Sequence, residues 1–503
     1  MPRKPLPKDK FFRTLNASRL AVTFNDVRLR TNYSEVMPHE VSLETRFSRN
    51  IPLKIPFVSA PMDTVTESRM AIAIAECGGL GIIHRNLTPD EQKDEVTRVK
   101  YHLGGLIKKP ICVNERQTIE QILNMRSEKR FTFHTFPVLD SEGKLVGIIT
   151  ETDFDFCIDK SQTAKKIMTQ KVTIAKKGTD LKGAYKTMCE HKKRSLPLVD
   201  EKGMIAGLYV LSDVRRILTG SSKDFNLDKN GRLIVGAAVG VYDDALARLE
   251  KLDRLVDVIV IDASHADTKS VVETLKQIKK DYPSIDVVAG NISVGSSAVR
   301  LLKAGADGIK IGQGGGSICI TSPIAGTGRP QVTAVYDCSL KCDVYKTPLC
   351  SDGGIVYSGD VTKAIGAGAW SVMVGNVLAG TEETPGEKIF GDGRQWKIYR
   401  GMGSLGAMKK KGSMDRYDQD PNRPLIAQGT EGLIPFKGTV KEVLTQYVGG
   451  LRVGMGQIGA KDILTLRERA DFDLVTNAGN TESHPHEVTT TKEPPNYRFR
   501  GQK

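Results

Sequence analysis

The chain has 503 residues, of which 39% are hydrophobic and 26% are charged, and its formal net charge is +14 at pH 7. This composition is typical of a soluble globular protein, and the length is sufficient for two or three domains. No stretch approaches the roughly 20 apolar residues that a membrane-spanning helix needs. The N-terminal sequence MPRKPLPKDKFFR has basic residues without an apolar segment after them, so we expect no secretory signal and a cytoplasmic protein.

The positive charge and the cysteines restrict the kind of ligand. Lys and Arg residues are scattered, and their densest cluster is Lys409-Lys410-Lys411. This distribution favours a solvated basic surface over a nucleic-acid site, and anionic small ligands would suit the same charge. None of the eight cysteines forms a CxxC pair or has a partner pair at zinc spacing. We therefore expect no zinc centre and a reducing compartment.

Eight short apolar runs predict buried strands. They begin at Phe57, Leu80, Leu233, Val258, Val287, Gly308, Pro348 and Ser371. Helix-compatible stretches separate most of them, and apolar strands that alternate with helices indicate a parallel sheet covered on both faces. Eight such units predict an α/β fold, a (β/α)8 TIM barrel. The alternative is an open doubly wound sheet, but no run is followed by the GxGxxG turn of a dinucleotide-binding sheet.

Between the second and third runs, two segments repeat each other, PVLDSEGKLVGIITETDFDF from Pro137 and PLVDEKGMIAGLYVLSDVRR from Pro197. Each predicts a strand, a glycine turn, a strand and a helix opened by an acidic residue, which indicates a duplicated unit. The repeat resembles a tandem pair of cystathionine-β-synthase-type (CBS) domains, which commonly bind purine nucleotides. The resemblance implies a ribose contact at Thr150 with Asp153, whereas the second copy has Val210 there. A folded spacer without a ligand is the alternative.

These patterns predict three segments. Residues 1–105 form the first part of a catalytic barrel, 106–220 form the tandem CBS domains, and 221–503 form the second part of the barrel. The polar sequence after Met408 predicts a mobile flap within about 386–430, and a polar tail ends the chain. In such a barrel, the active site lies at the carboxyl ends of the strands.

The loop GQGGGSICIT, from Gly312 to Thr321, is the most informative segment of that kind. Its four glycines permit positive φ angles and a close approach of the backbone to a ligand. Backbone N–H groups in such a loop can hold a phosphate, and inward carbonyls can hold a cation. Cys319 follows on the same loop, and a thiolate is a nucleophile. The glycines alone support a catalytic cysteine and a packing cysteine equally.

Longer motifs favour the catalytic cysteine. GGGSICIT followed by GRPQVTAVY is similar to the catalytic loop of the IMP dehydrogenase and GMP reductase family. SAPMDTVTE from Ser59, CSDGGI from Cys350 and YRGMGS from Tyr399 resemble the same family. These motifs are long, keep their order and cover the whole chain outside the repeat. That family also carries an inserted CBS pair at this place.

The resemblance implies a reaction and its residues. Cys319 would attack carbon 2 of inosine monophosphate (IMP), a hydride would leave for NAD, and hydrolysis of the thioimidate would give xanthosine monophosphate for guanine nucleotide biosynthesis. Thr321 would assist, and the flap pair Arg416-Tyr417 would activate the water. The residues implied to bind IMP are Met62, Ser317, Asp352, Gly353, Gly354, Gly375, Asn376, Tyr399, Gly401, Met402, Gly403 and Gln428.

The resemblance also implies a cofactor site, a metal site and an oligomer. Asp262, Ser264, Asn291 and Gly312 would bind NAD. Gly314, Gly316 and Cys319 would bind potassium together with Glu482, Ser483 and His484 from the extended tail of a neighbouring subunit, which implies a homotetramer. Without the resemblance, Asp262 and Asp352 could simply cap turns or helices, Met402 could fill the core, and the tail could be disordered.

Two other functions stay open at this point. GMP reductases, which use NADPH, share the cysteine loop but generally lack the flap pair, and they tend to have Gly-Met-Ser-Ser where this chain has Gly401-Met402-Gly403-Ser404. The other alternative is a nucleotide-sensing protein without turnover. The chain departs from the usual family pattern at Ala60, Gln313, Gly315 and Asn376. None of these departures removes a reacting group, so we expect them to change affinity more than reaction type.

Overall fold

A computed structural model describes residues 5–103, 106–107, 110–128, 133–219, 223–417, 419–420, 422–486 and 496–497. The chain forms two compact units. The barrel unit comprises Met1–Lys100 and Asp224–Lys503, and the inserted unit comprises Tyr101–Lys223. Every helix in the described part of the chain is too short or too polar to cross a membrane.

Eight parallel strands of the barrel unit close into a barrel, which confirms the predicted (β/α)8 TIM barrel. Almost every strand residue is buried, as the continuous apolar runs predict for strands covered on both faces. We number the barrel strands 1 to 8 in chain order. They are Phe57–Ser59, Leu80–Ile83, Val235–Val239, Val258–Asp262, Asp286–Ile292, Gly308–Ile311, Leu349–Asp352 and Ser371–Val374.

A helix covers the barrel after each strand. The helix after strand 4 shows why, because it buries Val271, Leu275 and Ile278 at helical spacing and thereby places its apolar face on the sheet. Thr268 begins this helix, and its hydroxyl accepts a hydrogen bond from the Val271 N–H. The covering helices are Ser68–Glu76, Pro89–Tyr101, Asp243–Leu252, Lys269–Asp281, Gly295–Lys303, Gln331–Val344, Ser358–Ala367 and Val440–Ile458.

Smaller elements complete the barrel unit. Strands Val27–Leu29 and Phe472–Leu474 pair with each other, as do Thr45–Arg46 and Pro52–Leu53. A separate three-stranded sheet follows strand 8 in the sequence and consists of Ile389–Gly391, Arg394–Arg400 and Glu431–Pro435. The remaining helices and 3-10 turns are Lys8–Ala17, Phe24–Asp26, Pro38–Glu40, Thr321–Ala325, Asn376–Ala379, Leu405–Met408, Lys411–Arg416, Ile463–Arg469 and Asn477–Glu482.

The inserted unit contains the predicted duplication. Both copies have a strand, a turn with a glycine at positive φ (Gly143 and Gly203), an antiparallel strand and a helix. The first copy is Phe136–Leu139, Leu145–Ile149 and Glu151–Asp155, and the second is Ser195–Val199, Ile205–Val210 and Leu211–Leu218. The other elements of this unit are Leu106–Ile107, Val113–Asn114, Ile119–Glu128, Ala164–Ile167, Ala175–Lys176 and Leu181–Glu190.

A buried ion-pair cluster of the barrel unit gives a stability prediction. Lys100 is fully buried, and its Nζ lies 3.0 Å from Asp228 Oδ2 and 2.6 Å from Asp257 Oδ2. We expect Lys100→Met to lower the free energy of unfolding by about 3 kcal/mol, because two carboxylates lose their shared cation. Denaturant unfolding measures this loss. Lys251→Met is the control, since Lys251 and Asp90 form an exposed pair that should contribute less than about 1 kcal/mol. Equal stability of the two variants would contradict the prediction.

Candidate active site

A cavity of about 760 Å³ lies at the carboxyl ends of the barrel strands. Almost every residue that the sequence analysis predicted for catalysis, nucleotide binding or cofactor binding lines this cavity. These are Met62, Asp262, Ser264, Asn291, Gly312, Ser317, Cys319, Thr321, Asp352, Gly353, Gly354, Gly375, Asn376, Tyr399, Gly401, Met402, Arg416, Tyr417 and Gln428. Gly403 packs beside the cavity, because a Cβ built there would lie 2.7 Å from the Tyr417 ring.

The cysteine loop presents its thiol to this cavity. Cys319 is half-buried, and its Sγ lies 3.3 Å from the Thr321 hydroxyl. The loop is fixed from behind, where the Thr430 N–H donates to the Ile318 carbonyl at 2.9 Å and Cys319 forms a β-bridge with Gly429. A nucleophile and an adjacent hydroxyl are therefore held together on one wall of the cavity.

At two positions of the site only glycine fits, because another segment of backbone passes too close for a Cβ atom. Gly312 has φ +151°, and a Cβ there would lie 2.0 Å from the Asp352 carbonyl oxygen. Gly353 has φ +94°, and its Cβ would lie 2.6 Å from the Gly315 carbonyl oxygen. Any larger residue would push the cysteine loop away from the loop after strand 7, because both contacts are with backbone atoms.

Tyr399 supplies a hydroxyl to the other side of the cavity. Burial raises the pKa of this phenol well above its ordinary value, although its hydrogen bond with Ser317 acts in the opposite direction. The phenol therefore stays protonated and can donate a hydrogen bond to an anion at neutral pH. Gly375 lies directly beside it, since a Cβ on Gly375 would lie 3.0 Å from the Tyr399 oxygen and 3.1 Å from the Met62 sulfur.

Gly375→Ala tests whether this corner binds the nucleotide phosphate. If the predicted nucleotide phosphate binds here, the variant should raise the KM for IMP by about ten-fold, because the methyl group would displace the Tyr399 hydroxyl from a charge-assisted hydrogen bond with that phosphate. Steady-state kinetics with varied IMP measure the effect. Gly359→Ala is the matched control, because Gly359 lies in the covering helix Ser358–Ala367 and a Cβ there meets nothing within 4 Å. An unchanged KM in Gly375→Ala would remove this corner from the nucleotide site.

A buried lysine connects the two carboxylates of the site. Lys310 lies in barrel strand 6, and its Nζ is 2.7 Å from Asp352 Oδ2 and 3.2 Å from Asp262 Oδ1. The Lys310 ammonium also donates to the side-chain oxygen of Asn291. The side-chain nitrogen of Asn291 in turn donates to Asp352 Oδ2 at 3.0 Å. Burial alone would raise the pKa of Asp262, but the charges of Arg416 and Lys310 lower it well below its ordinary value. This carboxylate is therefore ionised.

The flap pair reaches into the same cluster. Arg416 Nε lies 2.7 Å from Asp262 Oδ2, and its Nη1 lies 3.0 Å from the Tyr417 oxygen. Burial by itself would lower the pKa of Arg416. The charge of Asp262 outweighs this effect and raises the pKa to well above its ordinary value. Burial also raises the pKa of the Tyr417 phenol against the opposing charge of Arg416. In this arrangement, Arg416 is a cation and Tyr417 is neutral.

Within the predicted flap, residues 405–416 lie on the barrel as two short helices, Leu405–Met408 and Lys411–Arg416. Ser413 is fully buried, and its hydroxyl accepts a hydrogen bond from the Asn86 amide at 2.9 Å. The Ser264 N–H donates to the Arg416 carbonyl at 3.0 Å. These contacts hold the flap over the cavity.

Sequence reasoning missed several polar residues at this site, including Lys310, which lines the cavity, and Gln331, which packs against the end of strand 7. Lys310 could have been found, because a lysine within the apolar run GIKIG of a buried strand must be paired. Gln331 donates its side-chain amide to the Ile311 carbonyl and the Ser351 hydroxyl, both at 2.9 Å. Gln331 begins a covering helix and lies 20 residues after Ile311. No local sequence pattern connects it with the site.

The predicted potassium ligands lie in two places. Gly314 and Gly316 line the cavity with Cys319, whereas the described tail residues Glu482, Ser483 and His484 do not contribute to its lining. We expected the tail from Thr481 onward to be extended, but its first two residues end the helix Asn477–Glu482, which Thr476 caps. Arg28 donates to the Ser483 hydroxyl at 2.8 Å. Residues 487–495 lie outside the described part of the chain.

Comparisons with known proteins agree on one family. The model of the IMP dehydrogenase / GMP reductase domain matches residues 21–486. The inosine-5′-monophosphate dehydrogenase of Halalkalibacterium halodurans is 46% identical over 480 residues, which cover 95% of this chain and 98% of the relative. That of Aquifex aeolicus is 45% identical over 482 residues, which cover 95% and 97%.

A solved structure shows the same fold. It is a cysteine-to-alanine variant of GMP reductase from Trypanosoma brucei in complex with guanosine 5′-monophosphate. Its TM-score is 0.81 at 38% sequence identity, and the match covers 94% of this chain and 100% of that chain. With the family model and these relatives covering nearly its whole length, the chain belongs to the IMP dehydrogenase and GMP reductase family.

Proposed function

We propose that the chain oxidises IMP to xanthosine monophosphate with NAD, through a covalent bond to Cys319. The observation that carries this proposal is that one cavity contains two pairs of potentially reactive side chains. The thiol of Cys319 and the hydroxyl of Thr321 form the first, and the flap pair Arg416-Tyr417 forms the second. The first set suits formation of a covalent intermediate, and the second suits its hydrolysis.

In the first half of the reaction, the Cys319 thiolate forms a bond to carbon 2 of the purine. A hydride leaves that carbon with its electron pair, and a thioimidate remains on the sulfur. Asp352 would accept hydrogen bonds from the ribose hydroxyls. Tyr399 and the backbone at Gly375 would hold the phosphate, on the side of the cavity where that phenol is a donor.

In the second half, water attacks the same carbon and the thiol leaves, which gives xanthosine monophosphate and restores Cys319. A base must take the proton of that water. Arg416 can do so only after it loses Asp262, because the pairing of the two keeps its guanidinium charged. We therefore place the base in a state where Arg416 has turned from Asp262 toward the thioimidate.

The cofactor residues fit a dinucleotide at the same place. NAD would supply the hydride acceptor. Asp262 is an ionised, buried carboxylate at the cavity, and such a group can accept hydrogen bonds from both hydroxyls of a ribose. In this structure, Arg416 occupies both of its oxygens, at 2.7 and 3.1 Å. We infer that flap closure and cofactor binding exclude each other at Asp262.

We also propose a potassium site and a homotetramer. Hard cations take oxygen ligands, and the carbonyls of Gly314, Gly316 and Cys319 lie on one glycine-rich loop. Further ligands would come from Glu482, Ser483 and His484 of a neighbouring subunit, at and just after a helix end where the last carbonyls lack intrahelical partners. Replacement of potassium by choline should lower activity if this loop needs the ion.

For the inserted unit, we propose binding of purine nucleotides. Thr150 and Asp153 lie together at the start of the helix Glu151–Asp155, with their side-chain oxygens 2.8 Å apart. Val210 begins the corresponding helix of the second copy without a side-chain hydrogen bond. The first copy is therefore the stronger candidate for a ribose contact.

All eight cysteines are free thiols, which supports a cytoplasmic location.

The solved GMP reductase relative favours one second candidate, NADPH-dependent deamination of GMP. The two reactions are separated by incubating the protein with IMP and NAD, and in parallel with GMP and NADPH. We expect NADH absorbance in the first mixture and no NADPH oxidation in the second. NADPH oxidation with ammonia release and no IMP turnover would overturn the proposal. A nucleotide sensor without turnover would bind IMP but show no covalent adduct in mass spectrometry.

A further inference from the structure

Lys310 contacts both ligand-binding carboxylates of the site at once. Strand 4 carries Asp262, strand 5 carries Asn291, strand 6 carries this lysine and strand 7 carries Asp352, and the four strands are neighbours in this order. The lysine is fully buried, and its three hydrogen bonds all go to these side chains. One ammonium group thus connects four adjacent strands at the carboxyl end of the barrel.

The position of Lys310 differs from that of the other lysine that bridges two aspartates. Lys100 is equally buried and also contacts two carboxylates, Asp228 and Asp257, but none of the three residues lines the cavity. Lys310 does line it. Among the described residues of the barrel unit, the same type of buried cluster therefore occurs both at the ligand site and away from it.

We propose that Lys310 is a positioning residue that orients the substrate carboxylate Asp352 and the cofactor carboxylate Asp262 together. This role rests on the proposed function of the site. When the cofactor replaces Arg416, Asp262 loses one cation, and Lys310 is the cation that stays within hydrogen-bond distance. Lys310 therefore keeps Asp262 ready to accept the ribose hydroxyls while it fixes Asp352 for the substrate ribose.

Kinetics of matched variants test the proposal. We expect Lys310→Met to raise the KM for IMP and the KM for NAD by about ten-fold each, because each carboxylate loses a charge-assisted hydrogen bond. The turnover number at saturation should change much less, since the thiol chemistry lies elsewhere. Lys310→Arg keeps the charge and should restore most of both KM values. Lys100→Met should lower stability but leave both KM values as in the unchanged protein.

The pH profile provides a readout that a purely structural lysine would not change. The cations facing Asp262 are Arg416 from the flap, Lys310 from strand 6 and Arg85 after strand 2. Loss of Lys310 raises the pKa of Asp262, so the ionised carboxylate is lost at a higher pH. The acid limb of kcat/KM for NAD should therefore move to higher pH in Lys310→Met and stay in place in Lys310→Arg and Lys100→Met.

The outcomes are separable. Unchanged KM values and an unchanged acid limb in Lys310→Met would overturn the positioning role, as would a fall in the turnover number alone. If Lys310→Met does not fold, Lys310→Gln is tested in the same assays, and unchanged KM values in that variant would overturn the role equally. Failure of the proposed function would instead appear in the unchanged protein, as an absence of NADH formation from IMP and NAD.

Discussion

Replacement of Cys319 by alanine should abolish formation of NADH from IMP and NAD. We expect the rate to fall by about 10⁴-fold or more, because loss of a covalent nucleophile removes the whole chemical step. IMP should still bind, since its phosphate and ribose would be held by Tyr399 and Asp352 rather than by the sulfur. Stopped-flow absorbance of NADH measures the rate, and calorimetric titration with IMP measures binding.

The control for this variant is Cys189→Ala, which removes an exposed thiol of the inserted unit and should leave the rate unchanged. Mass spectrometry of the intact chain, quenched during turnover, should show an IMP-derived adduct in the unchanged protein and in Cys189→Ala. The same adduct in Cys319→Ala, or residual turnover near the original rate, would show that another group is the nucleophile.

Replacement of Arg416 by alanine should separate the two halves of the reaction. We expect one NADH per active site in a rapid first phase, followed by turnover slowed by about 10²- to 10⁴-fold, as for loss of a general base. The physical reason is that, in the proposed mechanism, only the hydrolytic half needs the flap arginine. The same change leaves Asp262 to the cofactor, so the KM for NAD should not rise. Rapid-mixing absorbance measures both phases.

Arg423→Ala is the matched control, because Arg423 lies in the same flap and its contact with Asp420 is solvent-exposed. It should show neither a trapped first phase nor a slowed second phase. Absence of the first phase in Arg416→Ala would contradict the assignment, since Arg416 would then be needed for bond formation to Cys319. Adduct accumulation in Arg416→Ala, measured by mass spectrometry, provides an independent count of the trapped intermediate.

The barrel was predictable from the sequence because of where its strands lie. A strand buried on both faces must be apolar at most of its positions, so runs such as VIVID, which ends at Asp262, are visible without any knowledge of their neighbours. The inserted duplication was equally visible, since both copies keep their turn glycines, Gly143 and Gly203, at matching places. The resemblance of the cysteine loop then identified the residues that line the cavity.

The remaining features depend on contacts that no local pattern contains. The pairing of Arg416 with Asp262 joins residues 154 positions apart, and the contact of Lys310 with Asp352 requires that strands 6 and 7 pair side by side. The first two residues of the predicted tail, Thr481 and Glu482, end a helix that Thr476 caps. The barrel and the duplication could thus be read from the sequence, since burial restricts the residues allowed at each position, whereas the reacting groups are predicted from the family resemblance. The tertiary structure alone decided which charges meet, because burial in a closed barrel forces each ion to find a partner.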